Sequence, residues 1–169
     1  GAHERAAKNN HGSWYAAQTA AYALFVGDTA RARKIASGAK ERIGWQITPD
    51  GTQPIEMERT RSLHYSGFNI EALSRLAEVG RQLGVDLWNY QSPKGGGLRR
   101  AIDHVAKYLG STEKWPGQQI DAIDPSLFVI HLRRAEERYH TDEYEKAIAR
   151  LPHDLTSSDR SALLYPDPN

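Results

Sequence analysis

The 169-residue chain is 39% hydrophobic and 25% charged, with 22 basic against 21 acidic side chains and no cysteine. That length accommodates one domain with a real core and argues against a disordered tail, a disulfide-stapled miniprotein or a multidomain enzyme. Thiol chemistry is excluded, and a net charge of +1 lacks the basic excess of a nucleic-acid binder, so any anionic ligand must be held by a local cluster.

No apolar run approaches the roughly 20 residues needed to span a bilayer, and residues 1–10 hold no hydrophobic signal core. Helical periodicity recurs along the chain without strand alternation, so the predicted class is all-α. Residues 14–26 (WYAAQTAAYALFV) place Trp14, Ala17, Ala21, Leu24 and Phe25 on one face, behind Ser13 as N-cap and ahead of Gly27, and read as a buried helix. Asp28 caps a second helix over 29–43, whose polar side carries Arg31, Arg33, Lys34, Lys40, Glu41 and Arg42; the two make a tight hairpin.

The pattern breaks over 45–67, where Thr48-Pro49-Asp50-Gly51 signals a turn, Pro54 interrupts again and the rest is dense in Arg, Glu, His and Ser. A loop this long inside a compact domain points to function or disorder. Helix returns over 68–83 with Ile70, Leu73, Leu76, Ala77, Val79 and Leu83 as its stripe, and again over 98–109 after a Gly95-Gly96-Gly97 loop. Residues 114–123 read as irregular, Asp124-Pro125 opens a helix to 139, a last helix covers 142–150, and the tail from Pro152 reads as a loose terminus. Successive antiparallel helix pairs without a fixed-period repeat predict an open α/α stack or part of a helical toroid.

Two segments exceed what a helical scaffold needs. Asn9-Asn10-His11-Gly12-Ser13-Trp14 reads either as a polar lead-in with a capping serine or as an anion site at a helix N-terminus. Glu56-Met57-Glu58-Arg59-Thr60-Arg61-Ser62-Leu63-His64-Tyr65-Ser66 reads either as a solvated charge run or as a functional cluster of two arginines, a histidine and a tyrosine. Elsewhere the simpler account is structural. Gln53 and Glu56 serve as turn residues or as contacts to sugar hydroxyls, and Trp14 serves as core or as a platform for a sugar ring. Trp88 and Trp115 divide evenly between packing and a binding wall. His104, His131, His140 and His153 are too dispersed for a metal site.

Taken together, NNHGSWYAAQTAAYALFVGD (9–28) and QITPDGTQPIEMERTRSLHYSGFNIEAL (46–73) resemble the alginate lyase family of helical-toroid polysaccharide lyases, with a weaker continuation through Asp86-Leu87-Trp88. The resemblance implies β-elimination on a 4-linked uronic acid polymer, with alginate the leading substrate and glucuronan its neighbour. A base removes the C5 proton, the uronate carboxylate takes up charge, and the O4 bond breaks to leave an unsaturated sugar. Because a proton α to a carboxylate is very weakly acidic, fixed donors must neutralise that carboxylate first.

By resemblance Asn10 is the amide neutraliser, helped by an arginine, and His11 is base or carboxylate partner. Tyr65 protonates the departing O4 and serves as base when C5–H and O4 are syn. Arg59, in the Glu-Arg-Thr core of the motif, is the favoured arginine and Arg61 the alternative. An ordinary tyrosine, with a pKa near 10, needs such a cation to act as base at neutral pH. His64 either packs or supports Tyr65. The substrate-contact set is therefore Arg61, His64, Gln53 and Trp14.

No metal or cofactor is implied, and the partner is an anionic polysaccharide, with neither nucleic acid nor membrane. The family's usual location is periplasmic or secreted. The alternative function is a noncatalytic polyuronate-binding or scaffold protein on the same fold. A full toroid of about a dozen helices needs roughly twice this length. The chain therefore reads as a single domain that is a C-terminal portion or a shortened member.

Overall fold

A computed structural model describes residues 1–153, 156 and 159–165. Its helices are α1 (Ala2–Ala6), α2 (Asn10–Phe25), α3 (Thr29–Gln46), α4 (Pro54–Met57), α5 (Ser62–Gln82), α6 (Leu98–Tyr108), α7 (Val129–Tyr139) and α8 (Glu143–Ile148), with 3₁₀ turns at Pro125–Phe128 and Arg160–Leu163. Among the described residues there is no named strand, and two isolated bridges join Arg61 to Gln119 and Gln91 to Gly97. The predicted all-α class is observed.

Helix α2 starts four residues earlier than its periodicity predicts. The cap is Asn9, whose side chain accepts from the His11 N–H at 3.2 Å. Ser13 is instead a buried interior residue that donates its hydroxyl to Gln46 at 3.2 Å. The helix is also not buried all round. Its inward line is Asn10, Ser13, Ala17, Ala20 and Ala23, small side chains that let α3 and α5 approach closely, while Phe25 is 88% exposed. Gly12 belongs to the same packing, because a Cβ there would run into the Ala7 carbonyl oxygen and the Arg42 guanidinium. Gly12→Ala is expected to destabilise the fold by about 1–3 kcal/mol, read as a lowered midpoint in thermal denaturation; an unchanged midpoint would show that this approach is not tight.

Asp28 caps α3 as predicted, accepting from the Arg31 N–H at 3.0 Å, and Gly27 turns the hairpin at φ +82°. Burial of Ala32, Ala36, Ala39 and Ile43 carries α3 on to Gln46. The larger departure lies in 45–67, predicted as one long loop. It contains α4, and α5 begins at Ser62 rather than at 68, so His64 and Tyr65 stand on a helix. Gly67 does not break that helix; its missing side chain makes room for the Phe128 ring, with which a Cβ would collide.

Helix α5 is the centre of the molecule, packing on α2, α3, α6 and α7. The second layer is α6, α7 and α8. Asp124 caps the 3₁₀ turn through the Ser126 N–H at 2.9 Å, and the α-helix proper starts only at Val129. Trp88 is core, its indole N–H donating to Glu78 at 2.9 Å. Trp115 packs between His104 and Tyr108 and donates to Ser62 at 2.7 Å. Of the segment predicted as a loose terminus, residues 154, 155, 157, 158 and 166–169 lie outside the described residues. Its described part touches α7: Arg133 contacts Asp159 at 3.1 Å, and Arg134 donates to the Tyr165 hydroxyl at 3.1 Å.

Candidate active site

Capping by Asn9 places Asn10 and His11 in the first turn of α2, and the early start of α5 places Tyr65 in its first turn. The two turns face one open cleft of about 790 Å³, whose walls include Asn10, His11, Trp14, Tyr15, Tyr65 and Phe68 and which continues along α2 past Gln18 to Tyr22. Asn10 is only 1% exposed, yet it borders this space. Its backbone N–H donates to one Glu56 carboxylate oxygen at 2.6 Å and its side-chain Nδ2 to the other at 2.8 Å. His11 keeps about half of its side chain in solvent, with Nδ1 3.2 Å from Glu4 Oε2 on α1.

The two candidate arginines diverge. The Arg59 guanidinium lies over the Tyr65 ring, 3.9 Å from its centroid. Arg61 turns away to an exposed ion pair with Asp121, beside the bridge to Gln119. Tyr65 is half-buried, and among the described residues its hydroxyl makes no hydrogen bond within the chain.

Trp14 does line the cleft, its ring 4.9 Å from that of Phe68. Gln53 does not. It is buried, its amide donating to the Ser66 carbonyl at 3.1 Å and accepting from Asn69 at 2.7 Å, so it braces the α4–α5 junction instead of contacting a sugar. His64 stacks on Phe68, 6.1 Å between ring centroids, and lines a different, smaller groove with Glu71 and His131. One residue of helix rotates the side chain by about 100°, so His64 faces that groove while keeping an edge contact with the Tyr65 ring, 5.4 Å between centroids.

Glu56 and Glu4 are absent from the predicted site set and touch two of its members. Glu56 is 2% exposed, and burial pushes its carboxyl above the ordinary 4.5, with the Asn10 hydrogen bonds and nearby Arg59 and His11 opposing the rise. Its signal in the sequence is its place one turn before Arg59. Glu4 has none, because nothing in residues 1–10 announces α1.

A second buried cluster joins α5 to α7. Glu71 contacts His131 at 2.9 Å and Arg134 at 3.0 Å, and Arg75 at 2.5 Å on its other oxygen. Burial opposes ionisation of Glu71, but these partners outweigh it and hold the carboxyl at about 2. The cluster fastens helices, and its Arg75 reaches the Trp14 wall of the cleft, 5.8 Å from that ring's centroid.

The model of the alginate lyase family matches residues 1–115. The chain belongs to the alginate lyase family. The crystal structure of an alginate lyase from Bacteroides ovatus matches it with a TM-score of 0.86 and 34% sequence identity, over 97% of this chain and 44% of that one. The chain therefore spans less than half the length of that structural relative, and its helices form an open part of the family's α/α toroid. No curated protein matches the chain. The family match contains Asn10, His11, Arg59 and Tyr65, so both segments that border the cleft fall within it.

Proposed function

We propose that the cleft performs β-elimination on a 4-linked uronic acid polymer, with alginate as the first substrate to test. The observation that carries this reading is the meeting of Asn10, His11 and Tyr65 in one cleft, from two segments far apart in sequence, with Arg59 against the Tyr65 ring. Asn10 offers an amide N–H to the uronate carboxylate, and Arg59 adds positive charge at the same end of the cleft. Negative charge developing on the substrate then meets fixed donors instead of reorganising water.

The C5–H bond breaks toward His11 or Tyr65, its electron pair forms the C4–C5 double bond, and the C4–O4 bond breaks. The departing O4 takes a proton from the Tyr65 hydroxyl. The Arg59 guanidinium over the ring keeps positive charge beside the phenol while the proton moves. When C5–H and O4 are syn, Tyr65 enters as the phenolate, takes the C5 proton and passes that same proton to O4. When they are not, His11, exposed and oriented by Glu4, takes the C5 proton.

Incubation with alginate and, separately, with glucuronan is expected to raise ultraviolet absorbance as unsaturated ends accumulate. Binding without such a rise on either polymer would replace the lyase with a noncatalytic polyuronate-binding protein. Within an active chain, Arg59→Ala is expected to lower kcat by about 10²–10³-fold. Arg61→Ala removes an exposed ion pair and is expected to leave kcat nearly unchanged. Equal losses in the two variants would mean that the arginine role is assigned to the wrong residue or shared.

A further inference from the structure

We propose that Glu56 is a positioning residue that orients the Asn10 amide for the uronate carboxylate. The inference rests on the lyase reading of the cleft and adds a residue to it. An asparagine side chain has two nearly isosteric orientations, one presenting N–H groups and the other a carbonyl oxygen. Only the first helps an anionic substrate.

The carboxylate of Glu56 removes that ambiguity, because an acceptor 2.8 Å from the amide end tolerates the nitrogen there and not the oxygen. The second carboxylate oxygen holds the backbone N–H of the same residue at 2.6 Å, so one side chain clamps both the main chain and the side chain of Asn10. Nδ2 carries two hydrogens and spends one on Glu56. The other remains for a ligand, and among the described residues the Asn10 side chain makes no further hydrogen bond.

The clamp is also joined to the opposite wall of the cleft. The Arg59 N–H donates to the Glu56 carbonyl at 3.1 Å, closing the turn that follows α4. A single turn thus directs a carboxylate at Asn10 and a guanidinium at Tyr65. A negative group beside an anion-binding amide would repel substrate if it stood alone. Arg59 is near enough to offset its charge.

The competing role is purely structural: a carboxylate at the N-terminus of α2 also stabilises the helix through its free N–H groups. A double-mutant cycle separates the two, because Asn10→Ala keeps the backbone N–H that Glu56 also binds and removes only the amide. Asn10→Ala is expected to lower kcat on alginate by about 10²–10³-fold. Glu56→Gln and Glu56→Asp are each expected to lower it on the order of 10–100-fold, the first by losing one acceptor and the second by shortening the clamp while keeping the charge. Combining Glu56→Gln with Asn10→Ala is expected to cost no more than Asn10→Ala alone, within about threefold.

Losses that multiply, or a Glu56→Asp variant with the kcat of the parent, would overturn the positioning role. Circular dichroism restricts the comparison to folded variants, and Glu56→Asp keeps the helix-terminal charge where Glu56→Gln does not. A parent chain that binds but does not cleave alginate or glucuronan would end the lyase reading. The same cycle is then read in the dissociation constant of a short oligomannuronate by calorimetry, where non-additive losses uphold the clamp and additive or absent losses overturn it. A parent that neither cleaves nor binds overturns both.

Discussion

Tyr65→Phe is expected to slow elimination by about 10²–10⁴-fold while leaving polyuronate binding in place. The substitution removes one oxygen and keeps the ring, so the stacking of Arg59 on its face, the edge contact of His64 and the wall of the cleft all persist. What is lost is the hydroxyl that, among the described residues α5 brings to the cleft, is the proton donor of the proposed elimination. Among the described residues the hydroxyl holds no structural hydrogen bond, so its removal has no route to unfolding the first turn of α5. Single-turnover absorbance on alginate, with binding measured separately, checks the expectation. Turnover at the parent rate would show that the proton comes from elsewhere, with His11 the next group to replace.

The largest expected effect on stability lies at Glu71. Glu71→Ala leaves the buried Arg134 guanidinium without its counter-charge and the buried His131 ring without its carboxylate partner. Breaking a buried pair from one side costs about 3–5 kcal/mol. In a domain of this size that corresponds to a thermal midpoint lower by roughly 10 °C.

The same group gives the fold a specific acid sensitivity. Its carboxyl sits at about 2 in the folded chain against an ordinary 4.5, so its stabilising contribution is fully present above the ordinary value and is lost as pH falls from there toward 2. The difference is worth about 3 kcal/mol. Chemical denaturation at a series of pH values between the two is expected to show the parent losing this increment and Glu71→Ala lacking it. Parallel pH profiles for the two proteins would mean that Glu71 is not ionised by its partners.

Much of the architecture is readable from residue periodicity, and the misreadings have local causes. Asn9 and Ser13 are both good caps. The choice between them depends on Gln46, which supplies a buried partner for the Ser13 hydroxyl and frees Asn9 to cap. In 45–67 charge density conceals the early start of α5. Ser62 gains a partner in the Gln118 carbonyl from a distant segment, and Gly67 sits under Phe128, so signals that look like loop serve packing.

The candidate site divides in the same way. Asn10, His11 and Tyr65 could be named from two motifs through their resemblance to the alginate lyase family, whereas residue type alone left a polar lead-in and a solvated charge run as open readings. The arginine at the Tyr65 ring is visible only in the tertiary structure: Arg59 lies over it, while Arg61 pairs with Asp121, a residue far along the chain. Gln53 and His64 lie within the right motif but point into the core and into a second groove, since neighbouring positions in one turn face different sides.

The sequence by itself determined the all-α class, because periodicity is a local property, and through the resemblance of its two motifs it pointed to the family and to Asn10, His11 and Tyr65 as candidates. Tertiary structure alone decided the directions of those groups and their partners: Glu56 on Asn10, Glu4 on His11 and Arg59 on Tyr65. Each of these contacts depends on the angle at which separate backbone segments meet, and that angle is set by packing across the whole core.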